Sequence, residues 1–86
     1  MKLNKAFIVH SVGEETVLVP AGNAGFSGVV RGNRSFGAIL ELLKEETDEE
    51  RVVAAMHEKF EAPAEQIEQD VRKVISELRG IGALDD

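Results

Sequence analysis

Asn33-Arg34-Ser35-Phe36-Gly37-Ala38-Ile39-Leu40-Glu41-Leu42-Leu43 marks a change of character in this chain. Asn33 is a residue type that caps helices, because its side-chain oxygen accepts a backbone N–H left unpaired in the first turn. Behind it Phe36, Ile39, Leu40 and Leu43 follow at i, i+3, i+4 and i+7, the spacing of one buried helical stripe. The segment predicts an amphipathic first helix. Gly37 within it sacrifices about 1 kcal/mol of helix propensity relative to alanine, which points to close packing against its backbone.

Upstream of Asn33 the sequence is β-rich and broken by glycine. Phe7-Ile8-Val9-His10-Ser11-Val12 is rich in β-branched and aromatic residues, Gly13-Glu14-Glu15 reads as a turn, and Thr16-Val17-Leu18-Val19-Pro20 resumes the β character. Two such runs joined by a short glycine-containing segment predict a hairpin. Pro20 lacks a backbone donor and is expected to close the second strand. Ala21 to Ser27 reads as a loop, and Gly28-Val29-Val30-Arg31-Gly32 as a third strand bracketed by glycines.

Downstream, Thr47-Asp48-Glu49-Glu50 has the spacing of a capping box, with Thr47 as cap and Glu50 three residues on. Its acids suit the positive end of a helix. Val53, Met56 and Phe60 are the expected buried stripe of this second helix. Pro63 fits a first helical position. The third helix carries Ile67, Val71, Val74, Ile75 and Leu78, and ends at Gly80 and Gly82, with Ile81 and Leu84 folding back on the core. Strands followed by helices predict an α+β domain, a three-stranded antiparallel sheet with its helices on one face.

The 86 residues are expected to form one domain spanning 1–86. No apolar run approaches the length of a membrane span, and the N-terminal stretch lacks the apolar core of a signal peptide, so the expected compartment is the cytoplasm. Charge is uneven: residues 1–44 sum to +2 and residues 45–86 to −8. Phosphate backbones are bound by clustered positive charge, so this balance argues against nucleic acid.

The groups that carry chemistry are missing or scattered. With no cysteine in the chain, disulfides, iron–sulfur ligation and cysteine nucleophiles are excluded. His10 and His57 have no ligand-spaced partners, and a zinc site needs three or four convergent ligands. The acids between Glu45 and Glu50 lack the alternating oxygens and central glycine of a calcium loop. Ala21-Gly22-Asn23-Ala24-Gly25-Phe26-Ser27-Gly28 lacks the Gly-Lys-Ser/Thr ending of a phosphate loop. Ser11, Ser27, Ser35 and Ser76 show no nucleophile–base signature. The expectation is a binding domain, not an enzyme, with no cofactor and no metal.

The order and spacing of these segments resemble the PqqD family of pyrroloquinoline quinone biosynthesis and the peptide-recognition domains related to it. The resemblance rests on Asn33 to Leu43, on the acidic opening Thr47-Asp48-Glu49-Glu50, and on Asp70-Val71 followed by Val74-Ile75, Leu78 and Gly82-Ala83-Leu84. Three positions depart from the family pattern: Leu40 replaces an aromatic, Gly32 a common leucine, and Phe36 a small residue. The resemblance implies a winged-helix-like fold. It also implies two partners: the leader of a ribosomally made precursor peptide, and a modifying enzyme, often a radical S-adenosylmethionine protein. The leader is expected in a groove between the third strand and the third helix, completing the open strand edge. Val29, Val30 and Arg31 would form that edge. Val71, Val74, Ile75 and Leu78 share the facing helical stripe, divided between core and groove wall, with Asp70 and Lys73 on its border. The competing reading is a winged-helix nucleic-acid-binding or regulatory domain. Such a domain calls for a basic recognition helix, whereas Glu65, Glu68, Asp70 and Glu77 accompany Arg72, Lys73 and Arg79 here.

Overall fold

The computed structural model describes residues 1–21 and 28–85. Along the chain run β1 (Lys2–Leu3), β2 (Phe7–Val12), β3 (Glu15–Pro20), β4 (Val30–Gly32), α1 (Arg34–Leu42), α2 (Glu49–Lys59), α3 (Ala64–Gly80) and β5 (Leu84–Asp85). Strands β2, β3 and β4 form an antiparallel sheet in that order, and the three helices follow it, so the expected α+β, winged-helix-like arrangement is present. The glycine-rich connection at residues 22–27 lies outside the described residues.

The hairpin is tighter than its sequence suggests. Val12 pairs with Glu15, so the loop is Gly13-Glu14 alone. Gly13 has φ +62° and Glu14 does not have a positive φ, the pattern of a II′ turn, whose twist matches the strands it joins. Pro20 is the last residue of β3, as expected. Phe7 and Leu18 point to the buried face, while Ile8 and Val12 on the other face are exposed.

Asn33 caps α1, its side-chain oxygen accepting the Phe36 N–H at 3.1 Å. Phe36, Ile39, Leu40 and Leu43 are buried as the periodicity requires. In α2 the cap is Asp48, not Thr47; its carboxylate accepts the Arg51 N–H at 2.9 Å. The stripe moves with the cap. Val52 is fully buried beside Met56, whereas Val53 and Phe60 are only partly covered. Pro63 is likewise the N-cap of α3, one residue before the first helical position.

Helix α3 ends in a Schellman motif. Gly82, at φ +76°, donates to the Arg79 carbonyl at 3.1 Å, and Ala83 donates to the Leu78 carbonyl at 2.8 Å. Ala83 and Leu78 are both fully buried, which supplies the motif's apolar contact. The turn delivers β5 to β1, a two-stranded pair absent from the sequence reading, with Leu3 opposite Leu84. The N-terminal residues are also tied to the end of α1, where Leu3 donates to the Leu43 carbonyl at 2.7 Å. The Met1 ammonium pairs with the Glu46 carboxylate and thereby holds that carboxyl below its ordinary range.

Candidate functional site: the open edge of β4 and the face of α3

Strand β4 pairs with β3 on one side through Thr16–Gly32, Val17–Arg31 and Leu18–Val30. Among the described residues no strand covers its other side. The direction of each backbone group follows from the ladder. Ala21 donates to the Ala6 carbonyl at 2.6 Å, so the hydrogen-bonded pairs of β2 and β3 are the ones in register with it, Val12–Glu15, His10–Val17 and Ile8–Val19. In an antiparallel sheet these groups alternate from side to side along a strand. Thr16 and Leu18 therefore bond Gly32 and Val30, and the N–H and C=O of Arg31 point to the open edge. Val30 belongs to the sheet interior; Arg31 supplies the free donor and acceptor.

Facing this edge, α3 presents Asp70, Lys73, Val74 and Glu77, one helical face at i, i+3, i+4 and i+7. The two elements bound a groove of about 330 Å³. Arg31, Gly32 and Asn33 form one wall, the four α3 residues the other, and Ser35, Phe36 and Ile39 of α1 the end and floor. Phe36 lies so close to Gly32 that a Cβ on residue 32 would overlap its ring. Charge along the walls is balanced: Arg31 and Lys73 oppose Asp70 and Glu77. Arg31 sits 3.7 Å from Glu15 in an exposed pair, and Asp70 accepts from the Gln66 amide at 3.1 Å.

Of the residues named from sequence, the structure gathers Arg31, Asp70, Lys73 and Val74 at the groove. Val30 is half-buried on the inner face of the sheet, and Val29, 48% exposed, precedes the strand. Val71, Ile75 and Leu78 do not line the groove: they are 0%, 2% and 0% exposed and belong to the core. The division follows from helical rotation. Residues 71, 75 and 78 face the other helices, while 70, 73, 74 and 77 sit about 100° round the axis. Sequence reasoning missed Gly32, Asn33, Ser35, Phe36, Ile39 and Glu77 as groove residues. The available signals were the Gly32 and Phe36 departures from the family pattern and the helical spacing of Glu77 from Lys73.

Among the described residues there is no cluster of side chains able to hold a metal ion, and no helix long and apolar enough to cross a membrane. The site offers main-chain hydrogen bonds, a partly apolar floor and mixed charge, the equipment for holding an extended peptide.

The profile of the PqqD family, described as coenzyme PQQ synthesis protein D, matches residues 15–84. The chain belongs to the PqqD family. Among curated proteins none matches it. A solved structure described as TbiB1 in complex with the TbiA(beta) leader peptide superposes with a TM-score of 0.75 at 21% identity, covering 99% of this chain and 100% of that one. The likeness of fold thus extends over nearly the whole chain, including β1, which lies outside the family match.

Proposed function

We propose that this PqqD-family domain captures the leader of a ribosomally made precursor peptide and presents it to a peptide-modifying enzyme of the radical S-adenosylmethionine class. The observation that carries the reading is the open β4 edge, with the Arg31 main-chain groups aimed across a groove at α3. An extended segment entering that groove completes the ladder on one side and packs on Phe36 and Val74 on the other. Main-chain bonds require little sequence, and the side-chain pockets add selectivity. The domain acts as a binding module in this reading, and its site is Arg31, Gly32 and Phe36 with Asp70, Lys73, Val74 and Glu77. The leader peptide held by the similar fold of TbiB1 agrees with this class of ligand.

An NMR titration with the precursor leader encoded beside the gene tests it. Amide shifts are expected at Val29 to Arg31 and along Asp70 to Glu77. Shifts confined to β2 and the outer face of the hairpin would place the ligand on the opposite edge and overturn the proposal. The nucleic-acid reading is disfavoured by the balanced groove charge and the net charge of −6. A salt series separates the two, because phosphate binding falls steeply as salt rises whereas main-chain pairing does not.

A further inference from the structure

Strand β2 is the other edge of the sheet, and among the described residues no strand covers it. The ladder phase that turns Arg31 outward on β4 turns Phe7, Val9 and Ser11 outward on β2. The Phe7 N–H is taken by the Asn4 carbonyl at 3.1 Å. Val9 and Ser11 therefore keep both a free donor and a free acceptor. Alternating with them on the outer face are Ile8, His10 and Val12, all exposed. Ile8 is 56% and Val12 62% exposed. Edge strands are normally guarded by lysine, proline or a bulge. From Phe7 to Val12 there is no lysine and no proline, and the pairing with β3 runs on without a bulge.

This strand is complementary to itself. In antiparallel pairing about a two-fold axis at His10, Val9 of one copy bonds Ser11 of the other through both main-chain groups, and symmetry repeats the pair. Ile8 then lies opposite Val12 of the second copy, and Val12 opposite Ile8, so each exposed apolar side chain gains an apolar neighbour. Moving the axis to Val9 sets Ile8 against His10 and leaves Val12 opposite Ala6, outside the strand. Moving it to Ser11 sets Val12 against His10 and leaves Ile8 opposite Glu14. Charge favours the same antiparallel arrangement. Lys5 precedes β2 and Glu14 lies in the turn that follows it; both are exposed, and among the described residues neither has an ion pair. The two-fold brings each Lys5 alongside Glu14 of the other copy.

We infer that β2 is a self-association edge, on which a second copy of this chain docks about a two-fold axis at His10. The two three-stranded sheets become one of six strands. The β4 edges lie at the far ends of that sheet and stay open, so the dimer carries two β4 grooves facing away from each other. The inference does not depend on what β4 binds. A single strand-to-strand contact is smaller than the ~1,200–2,000 Å² of a standard interface, so the dimer is weak and concentration-dependent.

Sedimentation equilibrium of the full chain tests association, in mildly alkaline buffer where two facing imidazoles are uncharged. The average mass should rise from one chain toward two between about 10 μM and about 1 mM. Cysteine placement reads the register, because the chain has no cysteine of its own. Cα atoms of a non-hydrogen-bonded antiparallel pair lie about 4.5 Å apart, within disulfide reach. His10→Cys should therefore cross-link in oxidised glutathione at least about tenfold faster than Ser76→Cys, an exposed site on α3. Ile8→Cys and Val12→Cys should each cross-link slowly alone and quickly when mixed. Ser11→Pro removes an N–H that lies outside the β2–β3 ladder, so it should keep the melting temperature and sediment as a monomer. A single-chain mass at the highest concentration, or equal cross-linking at positions 8, 10, 12 and 76, would overturn the inference. Faster cross-linking at position 8 or 12 than at 10 would overturn it too, by placing the axis elsewhere. The unaltered chain and the cysteine series decide the matter even if Ser11→Pro does not fold, and a failure of leader binding at β4 would leave it standing.

Discussion

Gly37 of α1 lies against Thr16 of β3 so closely that a Cβ at position 37 would overlap the Thr16 hydroxyl. Thr16 is itself buried, 6% exposed, so its hydroxyl has little room to move aside. This contact sets the distance between the first helix and the middle strand, and with it the depth of the floor from which Phe36 and Ile39 face the groove.

Gly37→Ala should therefore destabilise the domain despite improving helix propensity. The propensity gain is about 1 kcal/mol, whereas forcing a methyl into a packed contact typically costs about 1–3 kcal/mol. A lower urea midpoint is expected for the single variant. Adding Thr16→Ala removes the obstructing hydroxyl, so the double variant should be more stable than the sum of the two singles predicts. Strict additivity would show that the two residues are not in contact.

The register of α2 can be read from two adjacent valines. Val52 is fully buried and Val53 only partly covered. Val52→Ala should cost about 2 kcal/mol and Val53→Ala clearly less. Equal shifts in denaturation midpoint, or a larger one for Val53, would return the stripe to its sequence-predicted position. Leu43→Ala, at a fully buried site of α1, should cost about 2–5 kcal/mol.

Arg31→Pro removes the backbone donor that faces the open edge and should abolish peptide binding. The fold should survive it, because that N–H takes no part in the β3–β4 ladder. Val30→Pro is the contrasting variant: it deletes a bond to Leu18 and should lower the melting temperature. Calorimetry on both, alongside thermal melts, distinguishes them. Unimpaired leader binding by a folded Arg31→Pro protein would remove β4 as the docking edge.

The Glu46 carboxyl is held below its ordinary range, chiefly by the hydrogen bond from the Met1 ammonium. A carboxyl whose folded pKa is depressed stabilises the fold above its unfolded pKa, and that contribution disappears as pH falls through the lower, folded value. Urea midpoints of the unaltered chain and of Glu46→Gln should differ slightly at neutral pH and converge in acid. The Glu46 side chain is largely exposed, so raised salt should also narrow the difference. A gap that persists in acid would assign the effect to something other than charge.

Local information in the chain was sufficient for the three-stranded sheet and the three helices. The Asn33 cap, the apolar period of α1 and α3, the termination of β3 at Pro20 and the strands-then-helices order all depend on neighbours within a few residues, and each appears in the structure where the sequence implies it. Near-equivalent choices separated by one residue were not legible. Thr47 and Asp48 can both cap, and Val52 and Val53 can both face inward; the packing of α2 on its neighbours selects Asp48 and Val52. The β1–β5 pair depends on contact between the two ends of the chain, and no local pattern encodes such a partner. The groove had the same limit. That Arg31 rather than Val30 offers its main chain to the edge follows from ladder phase, and that Val71, Ile75 and Leu78 serve the core follows from the angle at which α3 lies on its neighbours. Composition and spacing determine which faces exist, but only the tertiary packing decides which of them remain open to a ligand.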